Sequence, residues 1–142
     1  MENIHIYLAG GIVDLTLVGQ RKWRSRIKDA IKYGDFELFK NPIFFDSTDY
    51  HVASLYDNVR EVMEFKLNHL RKSDLLVVNF DNILDIEIAI EISIAKEYKI
   101  PIVGLVSGEV CNSSHPWLIE CCSKVCSDFK EIVAYVVDFY LR

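Results

Sequence analysis

The stretch DNILDIEIAIEISIAK, residues 81–96, sets two glutamates, Glu87 and Glu91, four positions apart among isoleucines. Four residues is about one helical turn, so in a helix both carboxylates share a face. Isoleucine also stands at every second position from Ile86 to Ile94, which is the pattern of a strand. In a buried helix the glutamates would be flanked by apolar side chains and would be candidate active-site groups. On an exposed helix face they would be only a solvated acidic stripe.

Other residues with chemical capacity are less pointed. Cys111, His115, Cys121, Cys122 and Cys126 follow a C-x3-H-x5-C-C-x3-C spacing, which lacks the C-x2-C knuckle of zinc sites. Cys122 and Cys126 read as small buried hydrophobes on a helix, and no metal is expected. His5, His51 and His69 have no metal-ligand spacing. Asp46, Ser47, Thr48 and Asp49 could hold sugar hydroxyls, but a turn uses the same residues. Trp117 follows His115 and Pro116, where it could stack on a base or a neighbouring subunit, or fill the core. Arg21, Lys22, Arg24, Arg26 and Lys28 form a basic run that reads as a solvated helix face.

The elements that must position these groups alternate. NIHIYL at residues 3–8 alternates and meets AGG, a strand entering a glycine turn. Residues 16–32 carry apolar side chains at Trp23, Ile27, Ala30 and Ile31, an amphipathic helix. DFELFK, residues 35–40, is a candidate short second strand, and NPIFFDSTDYHVASLY after it reads as an irregular aromatic loop. Residues 57–72 step through Val59, Val62, Met63, Leu67 and Leu70 at helical spacing. The runs at 74–80 and 100–106 are nearly continuous apolar segments, as in strands buried on both faces. Residues 127–142 open on Ser127, Asp128 and Glu131, a helix start, and continue with helical apolar spacing.

This alternation predicts an α/β fold whose parallel sheet is covered on both sides. Two parallel strands at 74–80 and 100–106 require a crossover, so residues 83–98 are expected to be helical despite their alternation. Ile86, Ile90 and Ile94 then form one stripe, and Ile88 and Ile92 another. Glu87, Glu91 and Ala95 lie between them. Glu91 is placed near the helix start, beside the Gly10-Gly11 turn, where ligands of open α/β sheets bind.

With 142 residues, the chain is expected to form one domain spanning residues 1–142. Its formal charge of −5 argues against binding a nucleic-acid polymer, though not a single nucleotide. No apolar run approaches a membrane span, and the N-terminal MENIHIYLAGG does not resemble a signal peptide. A cytoplasmic protein with reduced cysteines and no membrane partner is expected.

Several fragments, in order along nearly the whole chain, resemble the nucleoside 2-deoxyribosyltransferase family and its nucleotide N-glycosidase relatives. They are IYLAGGI, WR at 23–24, NP at 41–42, EVMEF…LRKSDLLVVNFD, AIEISIAKEYKIPIVGL and HPW at 115–117. The resemblance implies a flavodoxin-like, Rossmann-like three-layer sandwich around a five-stranded parallel sheet. It also implies a homo-oligomer, no cofactor, and a nucleoside or nucleotide ligand. It aligns Glu91 with the nucleophile, Tyr7 with the tyrosine that positions it, and Asp85 with an aspartate near sugar or base, here the candidate acid. Gly10 and Gly11 match the loop that lets the ligand approach the backbone. The implied chemistry is attack on C1′ of a deoxyribose, giving a glycosyl ester that a second base or water resolves. A catalytically silent member that binds a nucleotide or a protein is the alternative.

Two positions depart from the family pattern. Glu87 stands where many relatives have glycine, with Ile88 in place of a threonine, and Lys66 stands where many have aspartate. The opposite charges allow three readings: a pair that closes the pocket, a lysine that meets a phosphate or altered base, or two unrelated surface changes.

Overall fold

The structure, a computed structural model, describes residues 1–10, 17–50, 59–81, 86–107 and 115–142. Five parallel strands lie in the order β2-β1-β3-β4-β5: β1 (Asn3–Gly10), β2 (Asn41–Asp46), β3 (Leu75–Asn79), β4 (Ile102–Leu105) and β5 (Lys124–Cys126). This is the flavodoxin-like order, with its switch point between β1 and β3. The helices are α1 (Leu17–Tyr33), α2 (Val59–Arg71), α3 (Ile86–Glu97), α4 (Pro116–Glu120) and α5 (Phe129–Tyr140).

The central strand β3 is buried at all five positions, and alternate side chains feed two cores. Ile6, Leu8, Leu75 and Val77 pack with α1 and α5 on one face. Tyr7, Ala9, Leu76, Val78 and Phe80 pack with α2 and α3 on the other. Two apolar layers sandwich the sheet, as the continuous apolar strands require.

Local sequence explains the boundaries. Asp128 caps α5 by accepting the Glu131 N–H at 2.7 Å, while the Glu131 carboxylate accepts the Ser127 N–H at 3.0 Å. This reciprocal arrangement satisfies donors that a helix start leaves open. The 83–98 segment is helical over Ile86–Glu97, so the crossover requirement overrides the alternating pattern. After it, Lys99 takes a φ of 56°, and the chain turns back toward β4.

Four expectations need correction. The second strand is NPIFFD, not DFELFK: Pro42 is tolerated because β2 is the sheet edge. Residues 36–40 instead run irregularly, the N–H groups of Phe39 and Lys40 both donating to the Leu141 carbonyl. Cys126 lies in β5 and Cys122 in the connection before it, neither on a helix. The apolar face of α3 is Ile88, Ile92 and Ala95, a stripe with i, i+4, i+7 spacing, while Ile86 and Ile90 are exposed. The basic run is not a uniform solvated face, because Arg24 is buried.

Candidate active site

Tyr7 points from β1 into the α2/α3 layer, where its ring stacks on Phe45 of β2 at 4.9 Å. Phe45 stacks in turn on His69 of α2 at 4.4 Å. The Tyr7 ring is thus held by Phe45, which His69 of α2 backs in turn. Burial, reinforced by the charge of Glu91, pushes its pKa well above the ordinary value.

Glu91 sits in the second turn of α3, beyond the helix start expected for it. Its neighbour Ile92 is sealed in the core, and the residue itself is half-buried. Burial nonetheless desolvates the carboxylate and pushes its pKa up to about 7. Hydrogen bonding to Tyr7 and the charges of Lys66 and Arg24 pull the other way, while Glu87 adds to the rise. Among the described residues the Tyr7 hydroxyl has no acceptor in full hydrogen-bond geometry. The pair is in electrostatic contact, with a donor still to be satisfied.

The family departures do meet. Lys66 Nζ lies 3.8 Å from Glu87 Oε2, with the side chains 23% and 55% exposed. The contact is at the surface, so it is not a buried pair sealing a cavity. Both charges still act on Glu91, with opposite signs.

Gly10 ends β1, and its need for glycine is intramolecular: a Cβ there would lie 2.6 Å from the Trp23 ring. Gly11 and Asp85 lie outside the described residues, as do Cys111 and His51. Trp117 is 79% exposed at the start of α4, which excludes the core role. His115 caps that helix, its Nδ1 accepting the Trp117 N–H at 3.3 Å. Among the described residues no three His, Cys, Asp or Glu side chains gather as a metal site.

Pattern reading missed the support beneath Gly10. Arg24 is 1% exposed; its Nη2 donates to the Gly10 carbonyl at 3.3 Å and its Nε lies 3.7 Å from Asp46 Oδ1. Asp46, also 1% exposed, receives Lys28 Nζ at 2.7 Å and the Thr48 hydroxyl at 2.6 Å. Burial alone would raise the Asp46 pKa, but these hydrogen bonds outweigh it and hold the carboxyl below its ordinary value. The oxygen-rich stretch at 46–49 is therefore partly engaged in structure. Spacing offered a hint, since Arg21, Arg24 and Lys28 recur on one side of α1.

Comparison with solved structures turns on this architecture. The 2-deoxyribosyltransferase of Bacillus psychrosaccharolyticus superposes with a TM-score of 0.67 at 15% identity, covering 92% of this chain and 91% of that one. The chain shares the fold of a 2-deoxyribosyltransferase. A conserved protein from Enterococcus faecalis V583 gives 0.57 at 19% identity, over 92% and 95% of the two chains. The CMP N-glycosidase BcmB of Clostridium botulinum gives 0.55 at 15% identity, over 96% and 99%. No family model matches the chain, and no curated protein matches it by sequence. At these identities the likeness to the 2-deoxyribosyltransferase fold concerns backbone architecture.

Proposed function

We propose that the protein cleaves, or transfers at, the N-glycosidic bond of 2′-deoxynucleosides or their 5′-monophosphates. Glu91 attacks C1′, a C–O ester bond forms as the C–N bond breaks, and the bonding electrons leave with the base. The departing base needs a proton, and Asp85 is the proposed donor. Water or a second base then displaces Glu91. Tyr7 orients the carboxylate.

The desolvated Glu91 carboxylate facing the Tyr7 phenol carries this reading. Burying a carboxylate away from full compensation costs stability, and such groups cluster at functional sites. The fold neighbours, a 2-deoxyribosyltransferase and a CMP N-glycosidase, support the reaction class. Gly10 and Gly11 are assigned to the substrate loop, with Lys66, Glu87 and Trp117 as candidate substrate contacts. Met63, Ile86 and Ile90, exposed beside the Lys66–Glu87 contact, suit a self-association surface, to be checked by light scattering.

The Lys66–Glu87 contact favours a second reading, a catalytically silent binder, because it sets a charge pair at two positions where the family pattern has neither charge in that arrangement. Incubation with deoxynucleosides or their monophosphates and a free acceptor base separates the two. Base release or exchange that disappears in Glu91→Ala supports the enzyme. A raised melting temperature without turnover supports the binder. Turnover unchanged by Glu91→Ala would remove Glu91 from the mechanism.

A further inference from the structure

The basic residues of α1 divide into two sets. Arg21, Arg24 and Lys28 meet Asp46 and Asp49 at 2.7 to 4.0 Å. Lys22 and Arg26, one turn apart, line a different wall together with Lys130 of α5. No carboxylate among the described residues pairs with these three. They surround a cleft of about 570 Å³ between α1 and α5, at the carboxyl ends of β3 and β4. Tyr7 and Glu91 belong to the opposite face of the sheet.

The cleft has the chemistry of an anion site. Its floor includes Asn79, 5% exposed on the α1/α5 face of β3, whose Oδ1 accepts the Asp81 N–H at 2.9 Å. Its side includes Asp128 and Phe129 at the start of α5, whose first turn is already capped by Asp128. Trp23 contributes a wall, and its buried Nε1 has no acceptor among the described residues. Arg26 is steadied by stacking on Phe129, its Cζ 3.8 Å from the ring centroid. The two acids in the lining have internal duties: Asp81 accepts the Ser107 N–H and hydroxyl, and Asp128 accepts the Glu131 N–H. Three cations without carboxylate partners among the described residues thus converge at the carboxyl ends of β3 and β4, the side on which open α/β sheets bind ligands.

We propose that this α1/α5 cleft is a second binding site, which takes a phosphate or diphosphate group. Lys22 and Lys130 supply point charges, and Arg26 supplies its guanidinium fork. Trp23 reports occupancy, because it lines the cleft and packs against Gly10.

The chain has two tryptophans, so Trp117→Phe leaves Trp23 as its only indole. In that background, inorganic phosphate, pyrophosphate, AMP and adenosine are titrated while indole emission is followed. The phosphorylated probes are expected to give a saturable change, and adenosine none. Lys22→Glu and Lys130→Glu, both at exposed positions, should each weaken binding about tenfold or more. Glu91→Gln should leave it unaltered, so the result does not depend on the proposed reaction. Equal affinities for phosphate and AMP identify the free ion as sufficient; tighter AMP binding identifies a nucleotide. Calorimetry on the unmodified chain provides a second readout. Absence of saturable binding by both methods, binding undiminished by both charge reversals, or binding lost only in Glu91→Gln would overturn the proposal.

Discussion

Asp46 and Glu91 are two desolvated carboxylates on opposite faces of one sheet, and they ionise in opposite directions. Lys28 and Thr48 hydrogen-bond to Asp46 and hold it below its ordinary pKa despite its burial. Glu91 faces a phenol and receives only more distant cationic help, so burial prevails and takes it to about 7. Burial alone does not make a carboxylate reactive. What separates the pair is whether the fold supplies enough compensating charge, and it does so only for Asp46.

Removing each carboxylate breaks the comparison most sharply. Glu91→Ala should lower base release by on the order of a thousandfold or more while the fold persists, checked by chromatography of the freed base and by circular dichroism. Asp46→Asn should instead destabilise the protein by about 3 kcal/mol, because Lys28 and Arg24 lose a buried partner; urea denaturation measures this.

Tyr7→Phe separates orientation from stability. Base release should slow by roughly tenfold or more, and the acid limb of kcat/KM should move to higher pH, since Tyr7 stabilises ionised Glu91. The melting temperature should stay level or rise, because the buried hydroxyl has no full acceptor among the described residues.

pH tests the opposite ionisation directly. Glu91 is raised from 4.5 to about 7, so over that window the unfolded chain releases a proton that the folded one keeps. Its contribution to stability is full below 4.5, declines as pH rises through the window, and stays lost above about 7. Asp46 acts in reverse: its stabilisation is present at neutral pH and fades as pH falls through its lowered value. Thermal melts of Glu91→Gln against the unmodified protein should diverge as pH rises, with the variant relatively more stable at pH above about 7.

Smallest are the effects at the surface pair. Lys66→Ala should move the acid limb upward and Glu87→Gln downward, following the signs each charge exerts on Glu91. Stability should change by about 0.5 kcal/mol or less in either, because the contact is solvent-exposed.

The parallel strands β3 and β4 were readable because sheets covered on both sides demand continuous apolar runs, and β1 from its alternation into a glycine turn. α3 was readable only through topology, since its isoleucines mimic a strand. β2 escaped because Pro42 is a strand breaker except at an edge, and edge position is a property of the whole sheet. β5, three residues long, carries too little pattern to stand out. In the site, Glu91 followed from its place among isoleucines, and Tyr7 came through family resemblance. The Arg24–Asp46 support joins residues 22 positions apart through tertiary contact, which periodicity cannot register. Trp117 stays on the surface although aromatic residues usually favour burial.

Ile88, Ile92 and Ala95, packed in the core, hold the rotational phase of α3, and Lys99, with its φ of 56°, turns the chain at its exit. One alanine inserted between Glu91 and that exit would swing the carboxylate by about 100° around the helix axis, away from the phenol. The same insertion just beyond Lys99 would lengthen only the approach to β4. The geometry of the Tyr7–Glu91 pair is therefore governed by a count of residues as much as by their identities.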